Sequence, residues 1–322
     1  METLNEQTHP TARQARVPLH QLHKRLPLRV LSPQDWAHWQ AWGHVVVRQA
    51  VPPESAAQLL DTLWQFQDMD PADPATWDQP ERRRHLMPEI NNTGMVEIYH
   101  HPLLWAHRQA RRVYDAFVDI WDSEALWVTI DRANLNTPNR GARAMGGGFI
   151  HWDVDTTQRP LPIGVQGVLS LTEQRGDVGG FQCVPELFRH FDTWARTQPA
   201  GRDPLHPDMS GLEARGVDLE PGDLLIFNSL LAHGIRPNHS TNRVRAAQYI
   251  AMFPAGEEDE AERARRLDSW QRREPPKRIA FPGDPRGREQ QHARAELTPL
   301  GERLLGLKRW RESGSDGGAP CR

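Results

Sequence analysis

Three residues of this 322-residue chain have the types and spacing that a metal ion requires. They begin in the segment Phe149-Ile150-His151-Trp152-Asp153-Val154-Asp155. In an extended chain, side chains two apart share a face, so His151 and Asp153 point one way and Trp152 the other. A neutral imidazole and a carboxylate placed like this can fill two neighbouring positions on one metal. Alone, such a tripeptide says little. Further along, Glu220-Pro221-Gly222-Asp223 forms a turn that feeds the apolar run Leu224-Leu225-Ile226-Phe227-Asn228. Ser229-Leu230-Leu231-Ala232-His233-Gly234 then delivers a single histidine. Two histidines and one carboxylate on one face of a metal leave its other positions open, the facial arrangement of non-haem Fe(II) chemistry.

Arg243 and Arg245 follow His233 on the next apolar segment, Val244–Phe253. If that segment is a strand, both guanidinium groups fall on one face. Either could hold a small dicarboxylate by paired hydrogen bonds, which a lysine imitates poorly.

The elements that must position these residues are short. Six β-type runs, at 126–136, 149–154, 164–171, 179–184, 223–228 and 244–253, are punctuated by Gly, Pro and Asp. That texture predicts a mainly β fold, a sandwich or barrel, rather than strand–helix alternation. Helices are expected around it. Ser32-Pro33-Gln34-Asp35 caps one carrying Trp36, Trp39 and Trp42 and ending at Gly43. Pro52-Pro53-Glu54 opens another, and a third is read as one continuous stripe from Leu103 to Ile120. Residues 256–274 read as a charged helix or solvated linker, and Thr298-Pro299 starts a last helix. The expected organisation is a flexible stretch at 1–25, one catalytic domain at 26–255, and a charged helical extension with a disordered tail at 256–322. Residues 68–100, 138–148 and 190–216 are expected to be pocket-shaping loops.

Composition narrows the partners. The formal net charge is −3, so no global basic field attracts nucleic acid or an anionic membrane. No stretch approaches the apolar length of a membrane span. Cys183 and Cys321 make neither a disulfide framework nor a cysteine-based zinc site, and a reducing cytoplasm is the expected location. Gly146-Gly147-Gly148 lacks the following helix and basic ending of a phosphate loop. Cys183, in an apolar run, is expected in the core rather than as a nucleophile. His44, His100, His101, His190, His206 and His239 are expected at the surface or in turns, and Asp155 as a hydrogen-bonding or substrate-side group.

Taken together, these segments resemble the phytanoyl-CoA dioxygenase family of double-stranded β-helix (jelly-roll, cupin-like) oxygenases. The resemblance runs from about Trp39 to Ala255. Trp42-Gly43-His44-Val45-Val46-Val47-Arg48 is similar to the family's opening helix–Gly–strand, and His151-Trp152-Asp153 to its first iron motif. Gly179-Gly180-Phe181-Gln182-Cys183-Val184-Pro185 resembles its glycine-rich turn. Pro221-Gly222-Asp223, His233-Gly234 and Pro237-Asn238 with Ser240 resemble its second iron motif. Pro185-Glu186-Leu187-Phe188 departs from the family's Pro-Gly-Ser-His.

The resemblance implies Fe(II) held by His151, Asp153 and His233, with 2-oxoglutarate and O2 as co-substrates. It implies that Arg243 or Arg245 anchors 2-oxoglutarate. The family's own position falls on Val244, and Arg243 is the first choice. Gln166 and Asn134 would line the co-substrate pocket. The implied reaction is hydroxylation of a small molecule, and Asp153 argues against halogenation, which needs that coordination position free. A cupin-like isomerase or hydrolase could use the same two-His one-Asp set, but would need no arginine anchor. A catalytically dead binding module would have no reason to keep all three ligands. Substrate identity and oligomeric state are not legible in the sequence.

Overall fold

Alternation along the strands builds the fold. In the strand Leu224–Asn228, Leu224 and Ile226 face one way and Leu225 and Phe227 the other, and its neighbour His44–Val47 repeats the pattern with Val45 and Val47 against Val46. Leu224, Ile226, Val45 and Val47 join a large core with Leu59, Leu63 and Phe117 from the helices. Leu225, Phe227, Val46 and Val168 join a second core with Phe181 and Cys183, which come from a different sheet. Both faces of the larger sheet are therefore covered, one by helices and one by the smaller sheet.

These features are seen in a computed structural model that describes residues 13–14, 17–77, 94–138, 149–276 and 286–310. The larger antiparallel sheet runs His44–Val47, Leu224–Asn228, Val165–Ser170, Arg245–Tyr249, Ala133–Asn136, Met95–Val96. The smaller runs His233–Arg236, Gly180–Cys183, Arg215–Gly216, and His151 bridges to the outer side of His233. Two facing sheets of this kind are the expected jelly-roll core.

Several elements differ from the sequence reading. The segment 149–154 is not a strand: only His151 bridges. The reason lies in its partners, because Trp152 donates its backbone N–H to Leu205 O (2.7 Å) and its indole N–H to Leu230 O (2.9 Å). The stripe from Leu103 to Ile120 is two helices, Pro102–Arg108 and Arg111–Trp121. It breaks where the Gln109 side chain turns away to bond Glu296 and Thr298. The segment 126–136 divides into Leu126–Val128 and Ala133–Asn136, and 244–253 divides so that Met252–Pro254 pairs with Leu126–Val128. Residues 190–216, read as loop, begin in the helix Phe191–Thr197, which follows Pro185–Arg189.

The first helix, Pro33–Trp42, is as expected. Ser32 and Asp35 form a reciprocal capping box, and Gly43 ends the helix at φ 73°. A Cβ at Gly43 would sit 2.8 Å from the Phe188 ring, so both conformation and space require glycine there. The stretch before this helix is packed, not loose, from Leu19 onward. Leu19 is buried, and the Asp122 and Asp119 carboxylates accept backbone N–H groups from Arg25, Leu26, Arg29, Val30 and Leu31. At the other end, the helix Glu260–Arg272 is tied to the body by buried Arg266, which donates to Val128, Leu304 and Leu305 carbonyls. His100, expected at the surface or in a turn, is buried. Burial lowers its pKa to about 3, and its Nε2 lies 3.0 Å from Ser269 Oγ. The glycine run 146–148, residues 78–93, Cys321 with the final dozen residues, and the first twelve residues lie outside the described residues.

Candidate functional site

His151, Asp153 and His233 come together. Their potential ligand atoms all lie within 4.8 Å of one another, the one such group among the described residues. Asp153 sits between the histidines, with Oδ1 3.3 Å from His151 Nε2 and Oδ2 3.2 Å from His233 Nε2. The two histidines are joined through their backbones, which exchange hydrogen bonds of 2.8 and 2.9 Å. Their rings are 4.6 Å apart between centroids. His233 is fixed further. Its Nδ1 lies 3.0 Å from Leu231 O, a contact that places a proton on Nδ1 and turns Nε2 toward Asp153. Phe227 and Phe181 pack on its ring at 4.5 and 5.7 Å.

Burial opposes a charge on Asp153, but hydrogen bonds and charge from His151 and His233 outweigh it and hold the carboxyl well below its usual range. The cluster is thus an anionic oxygen between two nitrogen donors, a donor set that suits a divalent transition metal.

Register places the other expected residues on the face that looks toward this cluster. Gln166 lies opposite Phe227, Val168 opposite both Leu225 and Tyr249, and Arg245 opposite Asn136. Because alternate residues share a face, Gln166, Tyr249, Arg245 and Asn134 all point into the space between the sheets. Gln166 reaches the cluster directly, its amide Nε2 donating to Asp153 Oδ2. Asn134 is buried on that face, opposite Ala247 and Met95.

The two arginines separate. Arg245 is buried, and its Nη1 donates to Arg236 O at 3.2 Å. Its Nη2 is buried with no hydrogen-bond partner among the described residues. Burial lowers its pKa to about 10, so it stays charged at neutral pH. Arg243 is half-exposed and already ion-paired with Asp177 and Glu173. The expectation that both open the strand on one face does not hold, since the strand begins at Arg245. Arg243 lies in a turn closed by Asn238 Nδ2 and Ser240 Oγ, which both donate to its carbonyl at 2.8 Å. Asp155 accepts from Thr157 N and Oγ1 and closes a turn of its own. Cys183 is buried in the inter-sheet core, and burial pushes its thiol up to about 12.

Sequence reasoning missed two features. Nothing in the residue pattern signals that Gln166 bonds Asp153 across the sheets. Phe149, next to the site, is one of two large apolar side chains left exposed among the described residues. Its position two residues before His151 was the available clue.

Fold and site together define a jelly-roll protein with a two-histidine, one-carboxylate cluster between its sheets. The chain belongs to the phytanoyl-CoA dioxygenase family, whose sequence profile matches residues 39–247. It is 26% identical over 251 residues to Ava biosynthesis cluster protein O of Aspergillus versicolor, covering 68% of this chain and 77% of that protein. Among solved structures it resembles hypothetical protein JW0805 of Escherichia coli, with a TM-score of 0.65 at 16% identity, covering 86% of this chain and 82% of that one. It also resembles the GlcNAc-inducible gene 2 protein of Candida albicans, with a TM-score of 0.58 at 12% identity, covering 88% and 78%. These two likenesses concern the fold. No helix among the described residues is long and apolar enough to cross a membrane.

Proposed function

We propose that this protein is an Fe(II)- and 2-oxoglutarate-dependent oxygenase that hydroxylates a small molecule. His151, Asp153 and His233 would hold Fe(II). One observation carries the reading: a buried guanidinium, Arg245, has an unpartnered Nη2 on the same inner face from which Gln166 reaches the cluster. A buried, unpaired charge is expensive, so a site that keeps one is built for an anion that arrives later. The distal carboxylate of 2-oxoglutarate has the charge and planar geometry to pair with it. Family membership supports the same chemistry. The name of the Aspergillus relative, a biosynthesis-cluster protein, fits a substrate made in small-molecule biosynthesis.

With 2-oxoglutarate and O2, the bound iron would supply the oxidising power to convert a substrate C–H into C–OH, with succinate and CO2 as co-products. The chain's own residues have simpler tasks. The Leu231 carbonyl and the two phenylalanine rings orient His233. Gln166 orients Asp153. Arg245 orients the co-substrate, and the packed inter-sheet core excludes water from the far side.

The test is succinate formation by protein reconstituted with Fe(II), 2-oxoglutarate and O2. Slow release without added substrate, abolished by a chelator and by omission of 2-oxoglutarate, supports the reading. Metal-dependent turnover of a substrate with no 2-oxoglutarate consumption would favour a cupin-like isomerase or hydrolase instead.

A further inference from the structure

Phe149 is an anomaly in a protein that buries its large apolar side chains well. It is 59% exposed, and among the described residues Val17 is the other exposed large hydrophobic. A single exposed aliphatic residue needs no explanation, but an exposed aromatic ring beside a reactive site does. The Phe149 ring lies 4.9 Å from the His151 ring, which lies 4.6 Å from that of His233. Phe149 therefore flanks the cluster through the His151 ring.

Phe149 is also held in place. The His151–His233 backbone pair anchors the chain two residues away. The Phe149 carbonyl presses so closely on Gly234 that a Cβ there would come within 2.0 Å of it. The backbone that carries the ring is therefore fixed, and the ring lies against His151 beside the cluster. Aromatic surface on a fixed backbone gives contact area at little entropic cost.

We propose that Phe149 is a wall of the substrate site and that the substrate presents a non-polar, ring-sized surface to it. The inference rests on the oxygenase reading above and deepens it. A polyol laid on this ring would lose water from hydroxyls that gain no partner in return. A saturated carbocycle or similar hydrocarbon face would bury both surfaces. The substrate class is thus a hydrophobic or amphipathic small molecule whose reacting carbon belongs to, or adjoins, its apolar part.

The test uses borneol as an apolar bicyclic probe and myo-inositol as a polar probe of similar size. Each is titrated anaerobically into protein loaded with Fe(II) and 2-oxoglutarate, following the visible charge-transfer band. Borneol should perturb the band of the wild type with a Kd at least tenfold below that of myo-inositol. Phe149→Ser should weaken borneol about tenfold and leave 2-oxoglutarate affinity unchanged, and Phe149→Trp should restore borneol binding. Equal responses to the two probes, no response to either, or a Phe149→Ser variant that binds borneol like the wild type overturns the proposal. So does a Phe149-dependent dimer, read by sedimentation, with borneol binding unchanged. Absence of the band from the wild type is a different failure, since it removes the oxygenase reading and the inference with it.

Discussion

Gln166 donates its side-chain amide to Oδ2 of Asp153, the same oxygen that lies 3.2 Å from His233 Nε2. The contact crosses from the larger sheet to the segment that carries Asp153, and leaves Oδ1 as the oxygen without a glutamine donor. A residue that fixes a ligand's orientation contributes to metal affinity without touching the metal. Gln166→Ala should lower Fe(II) affinity roughly 10–100-fold with the fold intact. Competition with a calibrated chelator measures this, and an unchanged affinity would remove Gln166 from the account.

The arginines give a second prediction. Arg245→Ala should raise the 2-oxoglutarate KM by about two orders of magnitude, since a hydrogen-bonded charge pair is worth about 2–5 kcal/mol. Arg245→Lys should recover only part of it, because an ammonium cannot make the planar paired contact. Arg243→Ala, which breaks only the surface ion pairs to Asp177 and Glu173, should change the KM little. The reverse ranking, measured by succinate release, would reassign the anchor to Arg243.

How much of this was readable beforehand differs residue by residue. The cluster His151, Asp153 and His233 was legible because a weak signal, histidine and carboxylate two apart, is joined by a single histidine delivered after an apolar run. The segment that carries His151 was misread as a strand. Trp152 gives its N–H to Leu205, so the segment lies beside a loop, and only the His151 bridge keeps strand pairing. Which of Arg243 and Arg245 lies buried on the inner face was not legible. It depends on where the strand begins, which the Asn238–Ser240 turn decides through side-chain bonds to the Arg243 carbonyl. The break between the helices at Gln109 was hidden for a similar reason: its partners, Glu296 and Thr298, are remote in sequence.

The packing of residues 19–31 gives a stability prediction. Buried Asp122 accepts from the backbone N–H groups of Arg25 and Leu26 and pairs with Lys24 at 3.3 Å. Burial works against its charge, but the bonds from Leu26 and Arg25 and the charge of Lys24 outweigh it, so its pKa is lowered. A depressed folded-state pKa contributes stability above the ordinary carboxyl range, which is lost as pH falls through the folded-state value. Asp122→Asn keeps the left-handed backbone at φ 52° and should cost about 1–3 kcal/mol at pH 7. Denaturant unfolding of both proteins at pH 7 and pH 3 checks this, and the difference should shrink at the lower pH.

On the proposed function, Asp153 separates hydroxylation from halogenation. In Asp153→Gly a coordination position opens, but the variant also loses the anionic donor between the two histidines. Iron content and 2-oxoglutarate decarboxylation should both fall by more than tenfold, with or without chloride, an effect on the scale of losing a charged ligand contact. Chloride-dependent recovery, or a chlorinated product, would contradict this.

The central claim is that His151, Asp153 and His233 bind one Fe(II) to which 2-oxoglutarate then adds. Anaerobic titration with Fe(II) and 2-oxoglutarate, followed by visible absorption, tests it most directly. The wild type should show a charge-transfer band that needs both components and saturates at one Fe(II) per chain. His151→Ala, Asp153→Ala and His233→Ala should each abolish it. A band that survives in the three variants, or a wild type that binds no Fe(II), would contradict the account.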